Sequence, residues 1–315
     1  MKIKPGSNDI RWMAAGAAVL LVCMLIAWQF HKGRDPAAQL AFKARRVDLA
    51  GWMQVDLAKA SEAEKSAVLA ITDADSQTFA DQARAASGQV ERERRELEEL
   101  LTAGGTPGER KLLAQFTAAF AEFQNIDNDL LVLAVKNTNL KAYSLVFGPA
   151  AAAVKEMNAA LACLVAAPAD TPEAKTTMRL AFGAQLGALR QQTLLPPHIA
   201  EENDQKEDEL EALMATEDAQ VRQALEGLAA LPSFGHDPEL ATATARYAEF
   251  SKLRKQILAL SRENTNVRSL SISLHQKRKV MLVCQGLLGD LQQAILAEPI
   301  AGVTYGTPMR PRRLL

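Results

Sequence analysis

The sequence predicts an all-α protein with an N-terminal transmembrane helix followed by two tandem up-and-down four-helix bundles, and three observations lead to this prediction. The composition suits long helices, because 48% of the 315 residues are apolar but only 5% are aromatic. An uncharged stretch lies close to the N-terminus, and a long segment of the chain occurs twice. With 36 basic and 37 acidic side chains, the net charge of -1 gives no electrostatic reason to expect nucleic-acid binding.

The first 30 residues have the pattern of a signal anchor. Residues 1–11 form a short basic tail, and residues 12–30 contain no charged side chain, which is long enough for a helix to cross a bilayer. Trp12 and Trp28 lie near the two ends, where aromatic residues meet the membrane surface. Because the stretch ends in bulky residues without a small-x-small cleavage site, a cleaved signal peptide is disfavoured. We therefore expect a single pass through the inner membrane, with the tail in the cytoplasm and the bulk of the chain in the periplasm.

The repeat consists of Phe120–Leu164 and a second copy, Tyr247–Leu291. In each copy, apolar residues alternate at spacings of three and four on both sides of an Asn-Thr-Asn triplet, as in helices that pack side-on in bundles. Asn tolerates the left-handed conformation that ends a helix, and Asn or Thr side chains cap the next helix. Each copy is therefore predicted to be an antiparallel hairpin with the triplet as its interhelical turn. The triplets are Asn137, Thr138 and Asn139 in the first copy and Asn264, Thr265 and Asn266 in the second.

Two further helices precede the first hairpin. The apolar spacing predicts a helix from about Ala38 to Thr72, and the acidic Asp73–Asp75 segment marks a break. A second helix follows and ends at the glycine-rich Gly104–Gly108 segment. Together with the hairpin, these helices predict a first four-helix bundle over residues 38–166.

The rest of the chain repeats this plan. Residues 167–170 are predicted to be a hinge, followed by a helix that Pro196-Pro197 ends, an acidic helix and the second hairpin. This order predicts a second four-helix bundle over residues 171–296 and a disordered basic tail over residues 297–315. An alternative stays open, in which 167–170 is merely a turn and the two units share long helices in one elongated bimodular bundle.

Motifs of catalysis and cofactor binding are absent from the sequence. It contains no GxGxxG, P-loop, CxxCH or HExxH pattern, so we expect no enzyme activity, no cofactor and no metal. His198 precedes Glu201 and Glu202, but this grouping after Pro196-Pro197 is typical of a helix start. The sequence has three cysteines, Cys23, Cys163 and Cys284. They are too few and too scattered for a disulfide framework or a zinc site.

Lys277 is an anomaly, because it occupies an apolar seam position that is Ala150 in the first copy. A lone buried charge costs several kcal/mol, so this lysine must be paired, reach solvent or serve a ligand. In the first two cases the residue is structural. In the third, Lys277 and Arg278 clamp the carboxylate of a small anionic ligand between helices.

One segment combines a Pro-x-Glu-Arg helix start, an aromatic helix, a polar turn and an Ala-rich return helix with an early proline. These features are Thr106, Pro107, Glu109 and Arg110, then Phe116, Phe120 and Phe123, then Asn137–Asn139, and finally Pro149. In this combination the segment resembles the second half of the four-helix-bundle sensor domain of methyl-accepting chemotaxis receptors. The resemblance covers about 60 residues, and through the repeat about 45 more. The resemblance implies an extracytoplasmic bundle that binds small molecules or partner proteins, commonly as a homodimer.

The sequence also departs from those receptors. No second apolar run follows the repeat, and only about eleven residues precede the predicted span, so we expect something other than a complete chemoreceptor. Two functional classes stay open. One is a membrane-anchored sensor-like module that binds a small solute or serves a signalling membrane protein as an accessory subunit. The other is a structural protein that docks a partner through its helical faces.

Overall fold

The computed structural model describes residues 36–166 and 173–300, and this part of the chain is all-helical. Helices account for 90% of it and it contains no strand, which confirms the predicted all-α class. The predicted tail 1–11, span 12–30 and hinge 167–170 lie outside the described residues, as do residues 301–315 of the predicted C-terminal tail 297–315.

The described residues form ten α-helices and two turns of π-helix. The α-helices are α1 (Pro36–Leu69), α2 (Asp73–Gly104), α3 (Pro107–Ala134), α4 (Thr138–Leu145), α5 (Ala151–Val165), α6 (Ala174–Ala200), α7 (Asp204–Ala229), α8 (Pro238–Glu263), α9 (Thr265–Ile272) and α10 (Arg278–Ala297). The π-helical turns join α4 to α5 at Val146–Ala150 and α9 to α10 at Ser273–Lys277.

The helices form two compact units, and the bounds of these units differ from those of the predicted bundles, 38–166 and 171–296. Among the described residues, the first unit contains 36–58, 87–120 and 282–300, and the second contains 59–86 and 121–281. The predicted boundary between the bundles, at residues 167–170, does not separate the two units, because side chains of one repeat copy contact side chains of the other. Lys277 of the second copy, for example, bonds to carboxylates on α1 and α3.

In the first unit, buried charged side chains of α1 contact α3 and the end of α10. Arg46 on α1 donates to Glu109 on α3 at 2.9 Å, and both side chains are almost completely buried. Lys43 donates to the carbonyl oxygen of Leu296 at 2.7 Å, near the C-terminal end of α10, where carbonyl groups lack helical partners. Phe116 and Phe120 stack with ring centroids 5.4 Å apart.

In the second unit, buried apolar residues form two clusters. In the first cluster, α4 and α5 pack against α8, and α6 packs against α5, α7 and α8. Tyr247 and Phe250 are its large aromatic members. The second cluster is formed by α1, α2 and α3, with Val68, Ala83 and Leu130 among its buried residues.

The predicted hairpins are wrong, because the helices on either side of a triplet belong to different clusters. Leu130 and Leu131, before Asn137, pack in the cluster of α1, α2 and α3. Ala142 and Val146, after Asn137, pack in the cluster of α5–α8. The chain therefore passes from one cluster to another at the triplet. Apolar periodicity shows which residues are buried, but it does not show which helix covers them.

The predicted helix seams are also out of phase near the triplets. The three-and-four spacing that ends at Ala150 and Lys277 would bury Phe147 and Leu274, but these residues are 69% and 50% exposed. The buried positions are instead Ala142 and Val146 in the first copy and Ser269 and Ser273 in the second. Each π-helical turn accommodates an extra residue, so a phase counted for continuous α-helix slips by one position there.

The predicted helix end at Pro196-Pro197 is wrong as well, because α6 continues to Ala200. The two prolines remove backbone donors, but Leu195, His198 and Ile199 are fully buried on the same helix. Their packing outweighs the lost hydrogen bonds.

One segment in the described part of the chain, Pro238–Ala297, is long and apolar enough to cross a membrane by length and composition. It comprises α8, α9 and α10, with a break at Asn264. The core helix of a soluble protein passes the same test, and this segment contains the buried, ion-paired Lys277.

Candidate functional site

A polar cluster inside the second unit has the features of a binding site, and we call it the Asp218 cluster. Its members are Gln191 on α6, Asp218 and Arg222 on α7, and Tyr247 and Arg254 on α8. The spacings of four residues on α7 and seven on α8 place each pair on one helix face.

The starts of α7 and α8 are fixed by side-chain caps. Asn203 accepts hydrogen bonds from the amides of Gln205 and Lys206, and Asp237 does the same for Glu239 and Leu240. Caps of this kind stabilise a helix start by about 1 kcal/mol. They set the register that brings α7 and α8 side chains together.

Asp218 is the centre of the cluster. Tyr247 donates its hydroxyl proton to Asp218 Oδ1 at 2.6 Å, and Arg222 Nε donates to Oδ2 at 2.9 Å. Arg254 Nη2 lies 3.1 Å from Oδ1. Gln191 Nε2 donates to the Tyr247 oxygen at 3.0 Å. Because the tyrosine proton is used on Asp218, the amide of Gln191 must present its nitrogen, and this fixes the orientation of the amide.

The electrostatics of the cluster keep Asp218 charged and Tyr247 neutral. Burial raises the pKa of Asp218, but the hydrogen bonds from Arg222 and Tyr247 and the charge of Arg254 outweigh it, so the pKa is lowered from its ordinary value. Burial and the hydrogen bond to Asp218 raise the pKa of Tyr247 to about 12. The cluster thus holds two guanidinium groups against one carboxylate.

Two buried polar atoms of the cluster lack hydrogen-bond partners among the described residues. They are Arg254 Nη1 and Gln191 Oε1. Arg254 is only 8% exposed and Gln191 is fully buried. An unsatisfied buried donor or acceptor costs about 1–3 kcal/mol, so each atom is expected to be satisfied by water or a solute.

A cleft of about 200 Å³ adjoins the cluster and shares Arg222 and Tyr247 with it. Its other lining residues come from α7 and α8 and are Leu225, Glu226, Ala229, Thr244 and Ala248. Drug-sized molecules need about 300–1,000 Å³. The cleft therefore fits a small solute.

The predicted ligand residues Lys277 and Arg278 do not converge on a cleft. Lys277 Nζ donates to Glu64 Oε2 at 3.0 Å and to Asp127, and it lies 4.7 Å from the ring centroid of Phe123. We call these four residues the Lys277 cluster. Burial raises the pKa of Asp127, although the charge of Lys277 and its hydrogen bond act in the opposite direction.

Of the three cases that the sequence left open for Lys277, the structure shows the paired one. It is 1% exposed and its ammonium is opposed by two carboxylates, whereas Arg278 is exposed. An incoming anion would be repelled by Glu64 and Asp127. The predicted carboxylate clamp is not supported by this geometry.

The six triplet residues meet one another. Thr138 N–H donates to Thr265 Oγ1 at 3.2 Å, and Thr265 N–H donates to Thr138 Oγ1 at 3.1 Å. Asn139 N–H and Asn266 N–H donate to each other's side-chain oxygens at 3.2 and 3.1 Å. The triplets therefore lie between helices, but they contact each other rather than closing two separate hairpins.

The asparagines that begin the triplets have the same backbone conformation. Asn137 and Asn264 both have φ 50° and ψ 39°, in the left-handed region that Asn tolerates better than most residues. Asn266 Nδ2 donates to Asn137 Oδ1 at 2.9 Å, and Asn139 Nδ2 donates to Asn264 Oδ1 at 2.7 Å.

His198 is a buried core residue, and its imidazole contacts residues other than Glu201 and Glu202. Its Nε2 lies 3.0 Å from Glu211 on α7, and its Nδ1 lies 2.7 Å from the hydroxyl of Ser261 on α8. The imidazole thus joins the ends of three helices. In the part of the chain that the structure describes, no group of three His, Cys, Asp or Glu residues could hold a metal ion.

Sequence reasoning missed every member of the Asp218 cluster. A usable signal was present in the repeat, because Arg254 aligns with Asp127, and the residues four before and three after them are apolar in both copies. A charge of opposite sign at a core position of a repeat indicates that the two copies hold different partners.

Comparison with known proteins finds no matching family model and no matching curated sequence.

Proposed function

We propose that this chain is a membrane-anchored sensor-like module whose helical bundles lie outside the cytoplasm and bind a small anionic solute at the Asp218 cluster. In this proposal, residues 12–30 anchor the protein in the inner membrane by a single pass. The remainder, which is all-helical in its described part, lies in the periplasm. The module acts alone, as a homodimer or as an accessory subunit of a signalling membrane protein.

The observation that carries the proposal is the unpartnered Nη1 of Arg254. A guanidinium group binds carboxylate or phosphate oxygens with directed hydrogen bonds, and it does so most strongly away from bulk water. The nitrogen is buried, and the neighbouring guanidinium of Arg222 is half-exposed at the cleft. The cleft also holds the carboxylate of Glu226, so the charges of Arg222 and Arg254 are balanced by Asp218 and Glu226, and the attraction for an anion comes from the unused hydrogen-bond donor of Arg254.

Gln191 supports the same assignment. Its Oε1 is a buried acceptor without a partner among the described residues, and the amide cannot turn over without losing the hydrogen bond to Tyr247. The site therefore offers one unused hydrogen-bond donor and one unused acceptor, which suits a solute that carries both an acceptor and a donor group.

The cluster supports binding rather than proton transfer. General acids and bases work best when their pKa lies near the operating pH. Asp218 has a lowered pKa and Tyr247 a pKa of about 12, so neither exchanges a proton near neutral pH.

A second candidate function is the docking of a partner protein, and a stripe on α6 favours it. Four large apolar side chains on this helix are 40–56% exposed at spacings of three and four residues. They are Met178, Phe182, Leu186 and Leu189. A partner that covers this stripe would make the protein an interaction module.

Thermal-shift measurements on the detergent-solubilised full chain test the first proposal. A panel of small organic and inorganic anions should include at least one that raises the melting temperature, because a ligand that binds the native state stabilises it by mass action. Arg254→Met should abolish the shift. The matched control is Arg246→Met, which removes an exposed arginine of the same helix that pairs with Glu156 and Glu249.

The outcomes separate the two functions. A shift that survives in Arg254→Met would place the anion elsewhere. If no anion shifts the wild-type protein while Phe182→Ser abolishes a stable complex with a copurified protein, the docking function is correct instead.

A further inference from the structure

The two helices that follow the triplets, α4 and α9, cap each other. The first N–H groups of a helix have no partner within the helix, and a side chain just before the helix usually accepts from them. Here Asn137 and Asn264 make no such cap on their own helices. The first N–H groups of α4 are accepted by the side chains of Thr265 and Asn266.

The exchange is reciprocal, since the first N–H groups of α9 are accepted by Thr138 and Asn139. The two hydroxyl oxygens lie 3.1 Å apart, so one of them also donates to the other. All of these groups except Asn266 are at most 4% exposed. Water therefore has little access to replace a lost bond, and each helix start depends on the other.

The exchanged caps are tied to the helices of the solute site. Asn139 donates to the carbonyl oxygen of Ile199 at the end of α6, and Asn264 donates to that of Glu201. Three residues before Asn264, Ser261 on α8 donates to the carbonyl oxygen of His198 at 3.1 Å. Arg254 and Tyr247 lie on this same α8, and α9 leads directly to Lys277.

We propose that the six triplet residues form one cooperative joint, in which the starts of α4 and α9 close and open together. The joint transmits displacements of α8 at the Asp218 cluster to α9 and its π-helical turn. Coupling of this kind requires an element with two discrete arrangements that both sites bias, and mutually dependent helix starts supply one. The joint does not depend on whether the solute of the proposed function is found.

Hydrogen–deuterium exchange of the full chain in detergent micelles tests the joint, with Thr265→Ala as the central variant. The substitution removes the acceptor of the Thr138 N–H but leaves the Thr138 hydroxyl available to Thr265 N–H. A cooperative joint predicts that the first turns of both α4 and α9 exchange about five- to tenfold faster, as expected for the loss of a cap in a locally opening segment.

Two other outcomes would overturn the inference. Faster hydrogen–deuterium exchange at α4 alone would mean that each triplet caps the other helix but that the two helix starts open independently. Faster exchange at α9 alone would mean that each triplet caps its own helix. Thr265→Ser, which keeps the hydroxyl group, should behave as wild type, and so should Thr242→Ala, which removes an exposed hydroxyl from α8. If Thr265→Ala does not fold, the reciprocal variant Thr138→Ala makes the same test from the other side.

Transmission is tested without any ligand by perturbing the Asp218 cluster itself. Arg254→Met should change the exchange rate of Ser273–Lys277 at least threefold in the wild-type background. The change should vanish in the Thr138→Ala/Thr265→Ala background. An equal change in both backgrounds would show that the joint transmits nothing.

Discussion

The Lys277 cluster and the Asp218 cluster occupy related places in the two repeat copies, but they are built in opposite ways. The position that is Asp127 in the first copy is Arg254 in the second, and Lys277 aligns with Ala150. Asp127 is therefore held by a lysine from the other copy, whereas Ala150 offers no charge and Arg254 pairs with Asp218 on α7. The repeat preserves the helices, but the charges within it have diverged.

The two clusters also differ in access. Lys277, Glu64 and Asp127 are at most 3% exposed, and the lysine is surrounded by acceptors. The Asp218 cluster contains a guanidinium nitrogen without a partner in the part of the chain that the structure describes, and it opens to a cleft at Arg222. Glu64 Oε1 in the Lys277 cluster also lacks a partner among the described residues, but it is an acceptor that repels an anion, whereas Arg254 Nη1 is a donor that an anion can bind.

Lys277→Met should have the largest effect on stability. It leaves two buried carboxylates without their cation, and breaking a buried ion pair costs about 3–5 kcal/mol. Urea unfolding measures the loss, and Arg278→Met is the control because its side chain is exposed. A loss below 1 kcal/mol would show that Glu64 and Asp127 do not depend on Lys277.

Asp218→Asn should have a smaller effect, about 1.5–3 kcal/mol, as for hydrogen bonds to a charged group. Arg222 is half-exposed and can turn to water, which limits the loss. Chemical unfolding measures it, and Asp208→Asn is the matched control because that carboxylate is 72% exposed on the same helix. If Asp218→Asn lowers the free energy of unfolding as much as Lys277→Met does, the two clusters do not differ in their contribution to stability.

The two aspartates should give opposite dependences on pH. Asp218 has a folded pKa below the ordinary 3.8, so its stabilisation is present above pH 3.8 and is lost as pH falls through the folded pKa. Asp127 has a folded pKa above 3.8, so stability declines as pH rises from 3.8 to that folded pKa.

Unfolding of the asparagine variants between pH 3 and pH 8 measures this contrast. The free energy of unfolding of Asp127→Asn, taken relative to wild type, should increase as pH rises from about 4. That of Asp218→Asn, also relative to wild type, should increase as pH falls below about 4. The same slope for both variants would contradict the different environments of the two carboxylates.

Gln191→Met should have the smallest effect, within about 1 kcal/mol. It removes one hydrogen bond to Tyr247, but it also removes an unsatisfied buried acceptor, and the two effects oppose each other. Urea unfolding without added solute measures the change. A loss above 2 kcal/mol would show that Oε1 is already satisfied in the protein.

Local features of the fold could be predicted from the sequence. The first helix was expected from about Ala38 to Thr72 and runs from Pro36 to Leu69, and the glycine-rich end of the second helix was expected at Gly104. These predictions rest on periodicity, glycine and proline, which act within a few residues.

Pairings between distant residues could not be predicted. The partners of Lys277 lie 213 and 150 residues away in the chain, so no local pattern identifies Glu64 or Asp127. The exchanged caps were missed for the same reason, because a triplet that can cap its own helix looks the same when it caps another. The π-helical turns were missed because they shift the phase of a helix without interrupting it.

The measurement that tests the central claim most directly is calorimetric titration of the full chain with the anion that gives the largest thermal shift. Wild type and Arg246→Met should bind it with the same affinity, and Arg254→Met should bind it at least tenfold more weakly. Equal affinity in Arg254→Met, or weaker binding in Lys277→Met than in Arg254→Met with both proteins folded, would contradict the assignment of the solute to the Asp218 cluster.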